Sequence, residues 1–314
     1  IIMVHETALE LGLKPEKDLQ CIKDLERGGF DIMKRELKKE LFVGVDLHKK
    51  KFNSTFYCEG KKSEYLIFDF TDKGLSDFIE MLEAFRKRDY SVKVALEMLT
   101  GSYYFYDAVS EHCDEIIILD ANKFKIIASS TKKTDKIDSE TIALYHSKAL
   151  LPTVYVPNRS VRHLRETVAF RNKLVKERSS HKNQIHSLLL KVGTTIPKRC
   201  LSTRKQLEAL KELKLSDIFY EKRLKMLVEQ IERLNETIKE TESLMEEITE
   251  SEGNEDLKKA VEILQSIPGI GYLSARILIS AIATIDRFET EKQLASYIGI
   301  VPSVRNSGGE TKHG

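Results

Sequence analysis

Leu41-Phe42-Val43-Gly44-Val45-Asp46-Leu47 is an unbroken apolar run of strand length that carries a single carboxylate near its end. Apolar residues without polar alternation belong to a strand covered on both faces, and the run is too short for a helix of ordinary length. Lys51–Tyr57 follows it and alternates, with Phe52, Ser54 and Phe56 on one face. Gly60 marks a turn, and Glu64–Phe70 is a third strand. Thr71–Arg88 then changes period: Leu75, Phe78, Ile79, Leu82 and Phe85 recur at three- and four-residue steps, with Thr71 or Asp72 placed to cap a helix. Val92–Leu96 is a strand, Ser102–His112 a helix and Glu115–Leu119 a strand with a β-branched core. Helical pattern resumes at Ala121 and again over Asp135–Leu150.

Three strands followed by alternating helices and strands predict a mixed α/β sheet with helices packed on it, the element order of an RNase H-like (RuvC-like) fold. Beyond it, Arg159–Lys191 is one long helical pattern. Leu224, Leu227, Ile231, Leu234, Ile238, Thr241, Met245 and Ile248 then alternate three- and four-residue steps, which is the a/d seam of a coiled coil. Its partner is either a second copy, giving a homo-oligomer, or the basic helix before it. Gly253-Asn254 ends the seam. Leu257, Val261, Ile263 and Leu264 fall on a helix, Ile267-Pro268-Gly269-Ile270-Gly271 is a turn, and Ser274–Ile285 is a second helix, together the pattern of a small helix-hairpin-helix region. Asn306–Gly314 is glycine-rich and polar. The expected divisions are an N-terminal extension over 1–40, with short amphipathic helices broken at Gly28-Gly29, then 41–150, 151–255 and 256–314.

Among the 314 residues, 41% are hydrophobic, enough for real cores, and 32% are charged, above the usual quarter. The net charge of +2 hides a strong asymmetry. From Asn158 to Lys205 thirteen Lys and Arg oppose only Glu166 and Glu177, a net +11. Such a segment suits phosphate backbones, DNA or folded RNA; with Phe170 its only aromatic residue, stacking on single strands is not its main mode. Cys21, Cys58, Cys113 and Cys200 are far apart and form no CxxC pair, so they read as reduced thiols of a cytosolic protein. No apolar run reaches the length of a membrane span, and no signal peptide is recognised. The expected location is the cytoplasm, at the nucleoid.

Four acids stand out by position. Asp46 ends the first strand and Glu97 ends Val92–Leu96, a strand that neighbours the first in an RNase H-like sheet. Asp135 and Asp138 lie three apart at the start of a helix, on one face. Phosphodiester cleavage needs a deprotonated attacker and a stabilised leaving oxygen, which two divalent cations can supply. Magnesium, or manganese, takes oxygen ligands and few protein groups, so four converging carboxylates suffice. Taken singly, each acid has an ordinary structural use as a turn or helix-start residue.

Val43-Gly44-Val45-Asp46, Ala95-Leu96-Glu97-Met98-Leu99-Thr100-Gly101-Ser102-Tyr103 and Lys133-Thr134-Asp135-Lys136-Ile137-Asp138 resemble the three catalytic blocks of the DEDD insertion-sequence transposases. Ile267–Gly271, Tyr297-Ile298-Gly299-Ile300-Val301-Pro302 and Ser307-Gly308 resemble the C-terminal transposase domain of the same family. The resemblance implies that Asp46, Glu97, Asp135 and Asp138 are the metal ligands. It implies that Ser307 is a nucleophile forming a phosphoserine on DNA, although Asn-Ser-Gly-Gly is also an ordinary turn. It implies DNA partners, element ends and target, and a structured guide RNA. Arg162, Arg165, Arg171, Lys173, Lys176, Arg178 and Lys182 would contact nucleic acid, and Gly269 and Gly271 would let backbone N–H groups approach a phosphate. Residues 1–40 precede the family's usual start, and the family usually continues beyond the position of Gly314, which reads as a truncated C-terminal domain. Two other functions share these features: a structure-selective endonuclease of the Holliday-junction-resolvase kind, which needs the acids but not Ser307, and a remnant that only binds nucleic acid.

Overall fold

A computed structural model describes residues 39–58, 63–127 and 134–300, and the backbone of 304–307 and 310–313. The reading of residues 1–38, the Gly60 turn and the Gly308-Gly309 dipeptide falls outside these. The described chain forms two compact units that meet in sequence at Tyr155 and Val156.

The first unit is a six-stranded mixed sheet with helices. Its strands are β1 (Lys39–Leu47), β2 (Lys51–Tyr57), β3 (Glu64–Asp69), β4 (Tyr90–Glu97), β5 (Glu115–Leu119) and β6 (Thr153–Val154). Their order in space is β3-β2-β1-β4-β5-β6. β1 is antiparallel to β2 and parallel to β4, so the apolar run lies at the middle of the sheet, with Leu41–Leu47 buried throughout. The helices are α1 (Asp72–Arg86), α2 (Ser102–Val109), α3 (Ala121–Ile127) and α4 (Asp135–Ser147). Thr71 caps α1 as expected, its hydroxyl accepting from Gly74 N at 3.2 Å. The helix expected over Ser102–His112 tightens to a 3-10 turn at Ser110–His112. The one expected to reach Leu150 stops at Ser147, and Ala149 turns the backbone to φ 53°. β6 is two residues long and carries too little pattern to be seen in sequence.

Strand alternation sorts the sheet's two faces. Phe52 packs edge-on against Phe78 of α1 and Phe105 of α2 on one face. Phe42, Gly44 and Asp46 of β1 face α4 on the other: Phe42 meets His146 edge-on, and Gly44 lies against the backbone of Ser139 and Ala143. β2 sends Asn53 and Thr55 to the same face, where Thr55 Oγ1 and Ser139 Oγ share a hydrogen bond of 2.8 Å. Ala95, from β4, joins Ile142 of α4 and Leu119 in an apolar cluster.

The second unit is helical: α5 (Arg159–Lys191), α6 (Arg204–Lys211), α7 (Ile218–Glu250), α8 (Glu255–Gln265), α9 (Tyr272–Ile282) and α10 (Glu291–Tyr297). Asn158 and Asp217 cap the two 33-residue helices. These run antiparallel, because Arg171 pairs with Glu242 while Arg178, further along α5, meets Asn235, earlier on α7. Most of the predicted a/d seam is buried here within the chain: Leu224, Leu227, Ile231, Ile238, Thr241 and Met245. The seam needs no second copy to cover it, so the homo-oligomer expected through it loses its physical basis; the alternative partner, the basic helix, is the one that covers it. Two apolar cores form at opposite ends of the pair. One gathers Ile185, Leu188 and Leu189 with Leu201, Leu207, Leu224 and Val228. The other gathers Val161, Leu164 and Val168 with Met245, Leu257, Val261, Ala275 and Ile279. α9 begins two residues before the expected Ser274 and ends at Ile282, because Ala283 takes φ 62°. The glycine-rich polar end folds as a hairpin, β7 (Val304–Ser307) pairing with β8 (Glu310–His313), and Ser307 stands opposite Glu310.

Candidate metal centre

The three segments that carry the four acids come together at one end of the sheet. Asp46 is the penultimate residue of β1 and Glu97 the last of β4, and the parallel register pairs their neighbours Val45 and Leu96. Alternation puts both carboxylates on the face that α4 covers. Asp135 opens α4 and Asp138 lies one turn on, with the Thr134 hydroxyl accepting from Ile137 N at 3.3 Å to fix the helix start. The positive end of the helix dipole favours both charges. The Ser102 hydroxyl, fully buried, donates to Glu97 O at 2.8 Å and accepts from Leu99 N at 2.6 Å, which fastens the bend after β4.

Asp46 is buried, with 7% of its surface exposed. Burial pushes its carboxyl above the ordinary aspartate range; His48 pulls it down, and the charges of Asp138, Asp135 and Glu97 push it up again. Asp135 is held by Asn53 Nδ2 at 3.3 Å and Lys51 Nζ at 3.5 Å, and Tyr65 OH donates to Asn53 Oδ1 at 2.8 Å. His48 Nε2 lies 3.1 Å from Asp46 Oδ2 and 3.6 Å from Asp135 Oδ2. Among the described residues, Asp46, His48 and Asp135 form a metal-type grouping, each offering a ligand atom within 4.8 Å of the others. Asp135 thus stands in the close grouping with Asp46, whereas Glu97 and Asp138 lie outside it. Carboxylates gathered this closely repel one another, and a divalent cation is the group that such a donor set fits.

Residues 43–194 match a family model described as a transposase of the DEDD, IS110 type, and residues 261–314 match one described as the IS116/IS110/IS902 transposase family. The chain belongs to the IS110 transposase family. Among curated relatives, the Sinorhizobium fredii protein named transposase y4qE is 23% identical over 277 residues, covering 87% of this chain and 66% of the relative. The transposase for insertion sequence element IS1111A of Coxiella burnetii is 28% identical over 182 residues, 57% of this chain and 48% of the relative. The transposase for element IS1328 of Yersinia enterocolitica is 23% identical over 271 residues, 86% of this chain and 76% of the relative. The chain thus spans about half to three quarters of the length of these proteins. The first IS110 match takes in Asp46, Glu97, Asp135 and Asp138, and the second takes in Gly269, Gly271 and Ser307.

In this IS110-family chain the basic helix divides its charges. Arg162 is buried at 6% exposure. Arg165 donates from Nε to Ser280 O and from Nη2 to Ala281 O at 2.9 Å, which ties α5 to the end of α9. Arg171 and Arg178 bridge α5 to α7, and Lys182 is half-buried with its ammonium pushed to lower pKa by burial and by Arg178. Lys173 and Lys176 are exposed, as are Arg159, Lys191, Lys198, Arg199, Arg204 and Lys205. Among the described residues, no helix is long and apolar enough to cross a membrane.

α8 and α9 enclose the Pro-Gly-Ile-Gly turn. Gly269 has φ 92°, and a Cβ at either Gly269 or Gly271 would meet nothing within 4 Å. Gly269→Ala should cost about 1–2 kcal/mol through its left-handed backbone. Gly271→Ala, at φ −81°, should stay within about 1 kcal/mol of wild type. Thermal melts of the two variants check the order; equal losses would mean that backbone conformation is not what Gly269 supplies.

His48 was missed by the sequence reading, which sought carboxylates alone. The signal was Asp-x-His: two residues beyond Asp46 the alternation of a strand returns to the same face.

Proposed function

We propose that this protein is the transposase of an insertion sequence, an RNase H-like enzyme that cuts and rejoins DNA strands with a divalent cation, magnesium or manganese. The observation that carries the reading is structural: β1, β4 and the start of α4 bring Asp46, Glu97, Asp135 and Asp138 to one end of the sheet, where Asp46 and Asp135 offer ligand atoms within 4.8 Å of each other. Asp46, Glu97, Asp135 and Asp138 would hold the cation. When bound, it polarises a phosphodiester oxygen and stabilises charge on the leaving oxygen. Lys51 and Asn53 orient the Asp135 carboxylate, and the Thr55–Ser139 hydrogen bond holds α4 to the sheet beneath it. Ser307 is proposed as the nucleophile: its oxygen forms a bond to phosphorus, one strand P–O bond breaks, and the phosphoserine ester keeps the energy of that bond for rejoining. Element ends and target DNA are the proposed substrates, with a structured RNA as guide. Lys173, Lys176 and Arg159 offer free charge to phosphate backbones, and Gly271 leaves room beside its backbone for a phosphate. Arg165, Arg171 and Arg178 serve that surface by holding α5 to α9 and α7, while Arg162 is buried and Lys182 half-buried.

The test is incubation of the full chain with element-end and branched DNA, with and without Mg2+, resolved on a denaturing protein gel. Metal-dependent DNA retained on wild-type protein and lost in Ser307→Ala is the expected result. Free cut strands with no adduct would favour a nuclease that releases products to water. Binding without cutting under any metal would leave a nucleic-acid-binding protein.

A further inference from the structure

The grouping of Asp46, His48 and Asp135 contains a nitrogen that the four-carboxylate scheme does not use. His48 follows the end of β1, and its backbone N–H donates to Lys51 O at 2.9 Å, which fixes the turn into β2. Its ring turns back over the sheet end, although 42% of the side chain is exposed and no burial drives it there. One ring atom, Nε2, faces both acids, 3.1 Å from Asp46 Oδ2 and 3.6 Å from Asp135 Oδ2. Adjacent ligands of one octahedral cation, each about 2.1 Å from it, stand about 3 Å apart. The nitrogen therefore stands near each carboxylate at close to the separation of neighbouring ligands, and all three residues offer ligand atoms within 4.8 Å of one another. A mere counter-charge for Asp135 is already present in Lys51 Nζ at 3.5 Å and needs no imidazole.

We propose that His48 is a nitrogen ligand of the metal centre, and that the centre for this reason favours Mn2+ over Mg2+. The proposal rests on the metal-dependent reading above. Magnesium takes oxygen ligands almost alone, whereas affinity for an imidazole nitrogen rises along the first-row divalent metals. An Asp-His-Asp grouping with Glu97 and Asp138 beside it is a mixed nitrogen and oxygen donor set, one that manganese tolerates better than magnesium.

The experiment is Mn2+ and Mg2+ titration of the full chain by calorimetry, for wild type, His48→Ala and Asp46→Asn, together with pulsed electron paramagnetic resonance of the bound Mn2+. Wild type should show nitrogen-14 modulation from an imidazole, and His48→Ala should lack it. Mn2+ affinity should fall about tenfold or more in His48→Ala, and Mg2+ affinity by no more than about threefold. The metal-free melting temperature of His48→Ala should match wild type, since the ring is half-exposed. Bound Mn2+ without nitrogen modulation in wild type, or equal losses for the two metals, would overturn the proposal and leave the carboxylate centre standing. If wild type holds Mn2+ no better than Asp46→Asn, the metal centre itself fails and His48 with it.

Discussion

Asp46→Asn lowers metal-dependent strand cleavage by roughly three orders of magnitude, equivalent to about 4 kcal/mol of transition-state stabilisation. Asp46 is the most buried of the four acids, near the end of a central strand. The amide keeps its shape and removes its charge, so the loss reports charge at the centre. Folding is a separate matter. In the metal-free chain the substitution removes a buried charge from among like charges, so the melting temperature should not fall. The measurement is single-turnover cleavage beside a thermal melt. Undiminished cleavage sinks the carboxylate mechanism; lost cleavage with a much lower melting temperature would make Asp46 a structural residue.

Gly44→Ala should destabilise the first unit by about 3 kcal/mol, lowering its melting temperature by ~10 °C, and should weaken metal binding as well. An added Cβ would lie 2.1 Å from Ser139 O and 2.5 Å from Ala143 N, both backbone atoms of α4. Neither can swing aside, so the helix must move off β1. That helix carries Asp135 and Asp138, and β1 carries Asp46 two residues beyond the glycine. Because the collision is with backbone, trimming α4 side chains, as in Ala143→Gly, should not rescue the variant. Full rescue by that second change would show that side-chain crowding, not helix approach, is what Gly44 relieves.

Much of the first unit was legible because its signals are local. The apolar run at 41–47, the alternation at 51–57 and the helical spacing at 75–85 each write one element's burial into a few adjacent residues. The placement of Asp46, Glu97, Asp135 and Asp138 at strand ends and a helix start was legible for the same reason. The roles of the arginines were not. Whether Arg171 faces solvent or Glu242 is decided 71 residues away, by the antiparallel course of two helices, and nothing near Arg171 encodes it. The seam at 224–248 announced a partner helix without naming it, since an intramolecular and an intermolecular partner ask for the same heptad pattern. The hairpin at 304–313 was hidden by its glycines and polar residues, which read equally well as a loop.

The Ser160 hydroxyl donates to Asn254 Oδ1 at 2.6 Å, so the chain leaves along α5 and returns along α7 to nearly the point of departure. One apolar core closes the base of that excursion and a separate one closes its far end. Reach is thereby uncoupled from seating. A heptad added to both helices in register would extend the excursion by about 10 Å and leave the base core and α8–α9 undisturbed. The two family matches end at 194 and resume at 261, leaving unmatched the connection at the far end and the return helix. The pair is thus a spacer between two separate cores, and its length can be changed by design without rebuilding either.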